Sequence, residues 1–297
     1  MTKYLLTGLA ALTVAPIAAP TLAATSVDRR IDAGPTGTVE VRNVAGSVRI
    51  SAWDRREVHV TGTLGDNVER LDLLSEGDRV IVHVVLKRDS TIREGTSLTI
   101  EAPRGSGLEI DTVSADIDVN GIEGEQRLTS VSGNIDTETF DRELTAKSVS
   151  GNVSVSGHNR SAIARAQAVS GRLQLKDVAG EVQADSVSGQ VDVVAGKIDR
   201  ALLSSISGSV SLRGALTANS RVESTTTSGN VDLVFMGDGA AEYDLATFSG
   251  AIRNCFGPSP QTAGHAGPQK HSRFKEGDSN ARVSANTMSG SIELCRE

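Results

Sequence analysis

The residues best placed for chemistry are serines, and they come as a series. Ser132, Ser150, Ser170, Ser188, Ser207, Ser228, Ser249 and Ser289 each stand directly before a glycine, namely Gly133, Gly151, Gly171, Gly189, Gly208, Gly229, Gly250 and Gly290. A catalytic serine is a single residue activated by a base held beside it. Eight equivalent serines point instead to a structural column whose hydroxyls hydrogen-bond the backbone of a tight corner. No Ser-His-Asp, His-Glu-x-x-His, Cys-x-x-Cys or phosphate-loop pattern accompanies them.

Acid–base catalysis and calcium binding both need clustered carboxylates. The position two residues past each repeat's variable residue reads Asp118, Asp136, Ser154, Gln174, Asp192, Ser211 and Asp232. Only Asp118 and Asp136 are expected to be neighbours, on an outward, solvated face. Of the five histidines, His59 and His83 fall on strand-like stretches and could be adjacent, but no third ligand follows at a metal-binding spacing. His158, His265 and His271 stand apart. The expectation is therefore no catalytic residue, no cofactor and no metal.

The two cysteines are more telling. Cys255 lies five residues after Gly250 and Cys295 five after Gly290, with no Ser-Gly copy between them. Equivalent positions in stacked strands approach the Cα separation that a disulfide requires, so Cys255 and Cys295 are expected to be bonded.

The elements that carry these residues are set by the repeat. Each copy is an apolar residue, Ser, Gly, a variable residue, then Val, Ile or Leu, as in Val131-Ser132-Gly133-Asn134-Ile135. Glycines from Gly133 to Gly250 are 18, 20, 18, 19, 21 and 21 residues apart, and Val113-Ser114-Ala115 and Val44-Ala45-Gly46 are degenerate copies. On both sides of each copy alternate residues are small or apolar, for example Leu144, Ala146, Ser148 and then Val153, Val155. Period two with β-branched enrichment specifies strands. The inward parity slips across the Ser-Gly pair, which suggests a bend where glycine adopts positive φ. One such coil cannot bury a hydrophobic face alone, but stacked coils can. The fold expected is all-β, a parallel β-solenoid with coils of about 18–21 residues. A β-propeller would need about twice that period.

A single solenoid domain is expected over residues 25–297. Its first coils, 52–107, depart from the period, and a long turn fills 256–280, where Pro258, Pro260 and Pro268 fall. A small β-sandwich is the alternative for 52–107. The chain ends at Glu297, directly after its last strand, so the last coil is expected to lie bare at the end of the stack. There the disulfide would pin it, the 256–280 turn could fold over it, and self-association through that end would be open to it.

Residues 1–24 read as a signal peptide. Lys3 precedes an apolar stretch from Tyr4 to Ile17, and Thr21-Leu22-Ala23-Ala24 makes a small-residue exit. Nothing later reaches membrane-spanning length, so no membrane insertion of the mature chain is expected. Export also supplies the oxidising compartment that a disulfide needs. With 38% hydrophobic and 23% charged residues the chain is globular rather than disordered. A net charge of −7 argues against nucleic acid and anionic lipid as partners. Aromatics at 3% disfavour a stacking face for bases or sugars.

The recurrent Val-Ser-Gly-x-Val units and the terminal Thr287-Met288-Ser289-Gly290-Ser291-Ile292 resemble a bacterial family of exported β-strand-repeat proteins of unknown function, usually labelled adhesins. The resemblance spans roughly residues 36–295. It implies an envelope location, periplasmic or at the surface, and a β-solenoid, and it transfers no catalytic residue. The functional expectation is a non-enzymatic exported scaffold or adhesin-like binding module whose partner is an envelope protein or glycan. An accessory part of envelope-stress signalling is the alternative, and a polysaccharide-acting β-helix enzyme ranks behind it.

Overall fold

A computed structural model describes residues 25–88, 91, 93–263 and 269–297. The expected signal peptide at 1–24, and His265, lie outside the described residues. These are all-β, with no helix among them. The N-terminal group is β1 (Thr25–Asp32), β2 (Thr38–Trp53), β3 (Glu57–Leu64), β4 (Val68–Glu76), β5 (Arg79–Leu86) and β6 (Thr96–Pro103). The middle comprises β7 (Gly107–Asn120), β8 (Gln126–Ser130), β9 (Ile135–Thr139), β10 (Leu144–Ser148), β11 (Val153–Gly157) and β12 (Ser161–Ala168). Three long strands follow: β13 (Leu173–Ser186), β14 (Val191–Ser205) and β15 (Val210–Thr226). Then come β16 (Val231–Met236), β17 (Ala241–Thr247), β18 (Ile252–Asn254), β19 (Gln261–Ala263), β20 (Gln269–Glu276), β21 (Arg282–Thr287) and β22 (Ile292–Arg296).

Two parallel ladders meet at the corner motifs. The ladder before the motifs runs β2, β7, β8, β10, β12, β13, β14, β15, using the second half of each of the last three. The ladder after them runs β2, β7, β9, β11, β13, β14, β15, β16. Alternate side chains point inward from both. Leu128, Ala146, Ala166, Ala184 and Leu203 from the first ladder, with Ile135, Val153, Leu173, Val191 and Val210 from the second, build one buried core. The period-two pattern is thus met strand by strand.

Residues 52–107 supply an irregular further rung. β5 and β6 pair in parallel with the two halves of β2. Antiparallel strands edge this rung: β4 on β5, joined by the turn at Gly77, then β3 on β6 and β1 on β3.

The corner differs from expectation in two respects. Among the glycines of the repeat only Gly46, in a degenerate copy, has positive φ (114°); Gly133 through Gly290 do not. What they answer is close stacking. A Cβ on Gly189 would overlap the carbonyl of Gly171, and the same holds rung after rung along the column. The motif serines also do not hold the corner. That role falls to a buried hydroxyl three residues before each repeat glycine except Gly171, where Ala168 stands. Ser148 Oγ accepts from Gly151 N–H at 2.9 Å and donates to Gly133 C=O at 3.2 Å. Ser130, Ser186 and Ser205 accept in the same way, and Thr226, Thr247 and Thr287 donate to the neighbouring rung.

The order of rungs at the C-terminal end is not the order of the chain. β21 lies between β15 and β17, parallel to both, and β22 lies between β16 and β18. The last rung of the sequence is therefore interior, and the rung of Phe248-Ser249-Gly250 is outermost. This corrects the expectation of a bare terminal coil. Nor is 256–280 a plain turn: β20 runs antiparallel along the outer edge of β17, with β19 beside it. An uncovered edge would present unpaired N–H and C=O groups, and β20 satisfies those of β17. The chain has five Phe, two Tyr and one Trp, and Phe235, Tyr243, Phe256 and Phe274 gather beneath this cap. Tyr243 stacks on Phe274 at 4.9 Å and meets Phe256 edge-on at 5.6 Å. Its buried hydroxyl donates to Gly239 C=O, and burial pushes its ionisation up.

Candidate binding surface

Each corner is flanked by a buried residue three positions before the glycine and by the glycine itself, buried or half-buried. The two residues between them, the motif's apolar residue and its serine, must both face outward. Their backbones form a ladder of their own. Ser132 N–H donates to Val113 C=O, Ser150 to Val131, Ser170 to Val149, Ser188 to Val169 and Ser207 to Val187. The series continues Ser228 to Ile206, Ser289 to Thr227 and Ser249 to Met288, which again places the last rung inside the stack.

The consequence is a straight apolar ridge. Val113, Val131, Val149, Val169, Val187, Ile206, Met288 and Phe248 are each between 41% and 61% exposed. With Thr227 they fill nine consecutive rungs, a line about 38 Å long at roughly 4.8 Å per rung. Single exposed hydrophobics are ordinary on a soluble protein, whereas a contiguous line of them marks an interaction site. The columns beside the ridge carry charge over its first five rungs, at Asp111, Lys147 and Asp185 on one side and at Asp116 and Arg172 on the other. Over its last four rungs they are Ser204, Thr225, Asn286 and Ala246 on one side, and Ser209, Asn230, Ser291 and Ala251 on the other. Side-chain oxygens of this second column take the next rung's N–H: Asp116 from Asn134, Asn134 from Asn152, Asn152 from Arg172, and Asn230 from Ser291.

Further charge sits on the flat faces, and much of it is paired there. Arg165 lies between Glu143 and Glu181, Arg282 meets Glu242, and Asp244 meets both Arg273 and His271. Asp118 and Asp136 are register neighbours, as expected. Partial burial, then Asp118, then Glu138 push the Asp136 carboxyl up. Among the described residues one group brings three metal-ligating atoms together, Cys255, Glu293 and Cys295, and its two sulfurs are bonded to each other. That disulfide has a Cα separation of 4.9 Å and ties β22 to the residue just past β18.

His59 and His83 are not adjacent. His83 pairs with Arg42 and Asp72, while His59 lies opposite Glu101. His59 Nε2 is 2.8 Å from Asp28 and Nδ1 is 2.9 Å from Glu101, with Trp53 stacked nearby. Two carboxylate acceptors, Asp28 foremost, hold its pKa above the ordinary histidine value. His158 stacks on Phe140 at 4.5 Å.

Sequence reasoning missed the exposure of the ridge, although the parity slip across Ser-Gly carried the signal. Two successive outward residues are what such a slip produces.

A model of the Toastrack DUF4097 family matches residues 38–295. No curated protein matches. Three solved structures are similar in outline. A candidate adhesin from Bacteroides fragilis is 12% identical, with 91% of this chain and 97% of that one covered and a TM-score of 0.45. A candidate cell adhesion protein from Clostridium sporogenes is 8% identical, with 92% and 100% covered and a TM-score of 0.24. A candidate lipid-binding protein from Parabacteroides distasonis is 10% identical, with 92% and 96% covered and a TM-score of 0.33.

Proposed function

This chain belongs to the Toastrack DUF4097 family, and from that premise we propose that it is an exported, non-enzymatic binding scaffold: a β-solenoid whose stacked corners present a linear docking ridge to an envelope protein. The observation that carries this reading is the apolar line from Val113 to Phe248, flanked by uncharged residues over its last four rungs. A stack of rungs repeats one side chain at a fixed spacing, so a single motif yields an extended contact surface. The ridge is mostly aliphatic. It lacks the row of cations that would grip a charged polymer, and its one aromatic, Phe248 on the outermost rung, makes no row of faces that would stack on sugar rings. A partner protein offering an apolar groove fits it better than a glycan does. Export is supported by the pattern of residues 1–24 and by the disulfide, which suits an oxidising compartment.

The test is a triple variant, Val149→Ser, Val169→Ser and Val187→Ser, compared with wild type for retention on native envelope fractions. These side chains are outward, so the melting temperature should move by less than about 3 °C. Retention should fall at least about tenfold, the equivalent of about 1.4 kcal/mol. Unchanged retention in a folded variant would remove the ridge from the function.

A further inference from the structure

We propose that the C-terminal rung is exchangeable between copies, and that the partner fitted to its site is the same rung of a second copy of this chain. From β7 to β16 successive rungs lie side by side, as consecutive elements usually do, whereas at the N-terminal end β2 separates the rung of β5 and β6 from that of β7. At this end the rung of β21 and β22 separates two rungs that precede it in the chain. The segment from β16 to β17 must therefore step over one rung, advancing two rung spacings where one is the rule. It does so through Gly237 and Gly239, both at positive φ (89° and 59°). While β21 and β22 are elsewhere, β15 with β16 and β17 with β18 are two open parallel edges facing one vacant rung.

Either edge is a template for a strand. The strand it is built for is residues 282–296, which every copy carries. Nothing in the site distinguishes its own rung from another copy's. The parallel ladders, the corner bonds from Thr287 to Gly229 and from Thr247 to Gly290, and the N–H donated by Ser291 to Asn230 would all be remade in exchange. Such an exchange costs little beyond association, because no new interface has to be invented. The hinge is short. Only residues 277–281 join β20 to β21, with Gly277 at φ 64°, and short hinges favour exchange. The disulfide then acts as the latch. In an exchanged pair Cys295 of one copy lies beside the partner's Cys255. The two thiols give up two protons and two electrons to a disulfide oxidant, which is reduced to two thiols, and the new S–S bond links the copies.

The test is to unfold equal amounts of ¹⁵N-labelled and unlabelled mature protein under reducing conditions. The mixture is refolded across a range of concentrations with reduced and oxidised glutathione, and the peptides carrying Cys255 and Cys295 are mapped by mass spectrometry. Exchange predicts a disulfide-linked dimer whose fraction rises with protein concentration. Half of the Cys255–Cys295 links within that dimer should be mixed labelled–unlabelled pairs. Exclusively unmixed links, or a dimer whose mixed links fail to involve Cys255 with Cys295, would overturn the proposal. As a second arm, Cys255→Ser and Cys295→Ser are refolded together and separately. Exchange predicts a linked dimer only from the mixture, and its absence there while both variants are folded by circular dichroism would equally overturn it.

Discussion

Ser148 lends one hydroxyl to two rungs at once, accepting from Gly151 and donating to Gly133. Replacing it by Ala leaves both groups buried and unpaired, at a cost of about 1–3 kcal/mol. Ser150, outward on the same corner, should cost under about 0.5 kcal/mol when changed to Ala. Thermal melts of the two variants check this, and equal midpoints would refute the division of labour. The neighbouring glycine column makes a sharper comparison. Gly189→Ala places a methyl against the Gly171 carbonyl and must push stacked rungs apart, whereas Gln190→Ala changes an exposed side chain. The first should cost more than about 2 kcal/mol, in the range of overpacked cores, and the second almost nothing. The motif serines were legible as a series because they are identical. The working column was harder to read as a hydroxyl column because it alternates Ser, Thr and, at Ala168, no hydroxyl at all. Glycine was legible too, but the sequence cannot separate a glycine needed for positive φ from one needed for close approach.

Strands and rungs obey the same limits. Period-two alternation locates strands such as β8, β10 and β22 because each turns one face to a core. It says nothing of which rung neighbours which, since every Ser-Gly copy can stack on every other. That is why an interior last rung was unreadable, although the long Gly250–Gly290 interval hinted at a detour. The arrangement changes what breaking the disulfide should do. In Cys295→Ser the outermost rung rests on the loosened one, so amide exchange should quicken in β17 and β18 as well as in β21 and β22. β10 through β13 should stay protected. Acceleration confined to β21 and β22 would contradict the interior placement. At the opposite end, His59 ties β1 to β6 through Asp28 and Glu101. Its pKa is raised in the folded state, so this tie is at full strength below about pH 6.5, the unfolded value, and is lost as pH rises through the raised one. Corrected for intrinsic rates, exchange in β1 should be slower at pH 6 than at pH 9. His59→Gln should abolish that difference, and a difference that survives the substitution would exclude the histidine as its source.

On the scale of the whole molecule, two ladders close on a core of small aliphatic residues, antiparallel strands cover both ends, and one corner stays apolar and open. The all-β class and the stacking followed from the sequence because a repeat of about twenty residues must bury its apolar face on its neighbours. The candidate surface did not, because an apolar residue in a strand-rich repeat is first read as core. Val131, Val149 and Val169 stand two residues before a repeat glycine and the buried Val153 and Val155 two and four after one, so equal parity faces opposite ways on the two sides of the slip. A surface that functions as a line should also be engaged as a line. The most direct measurement is a photo-crosslinking scan in cells, with a photoreactive residue placed singly at Val131, Val149, Val169, Val187 and Ile206, and at Ser154, Gln174 and Asp192 on the adjoining face. The binding-ridge account predicts one common protein adduct at successive ridge positions and at least about a tenfold lower yield on the face. Equal yields on ridge and face, or ridge positions that capture no protein while the variants remain folded and exported, would contradict it.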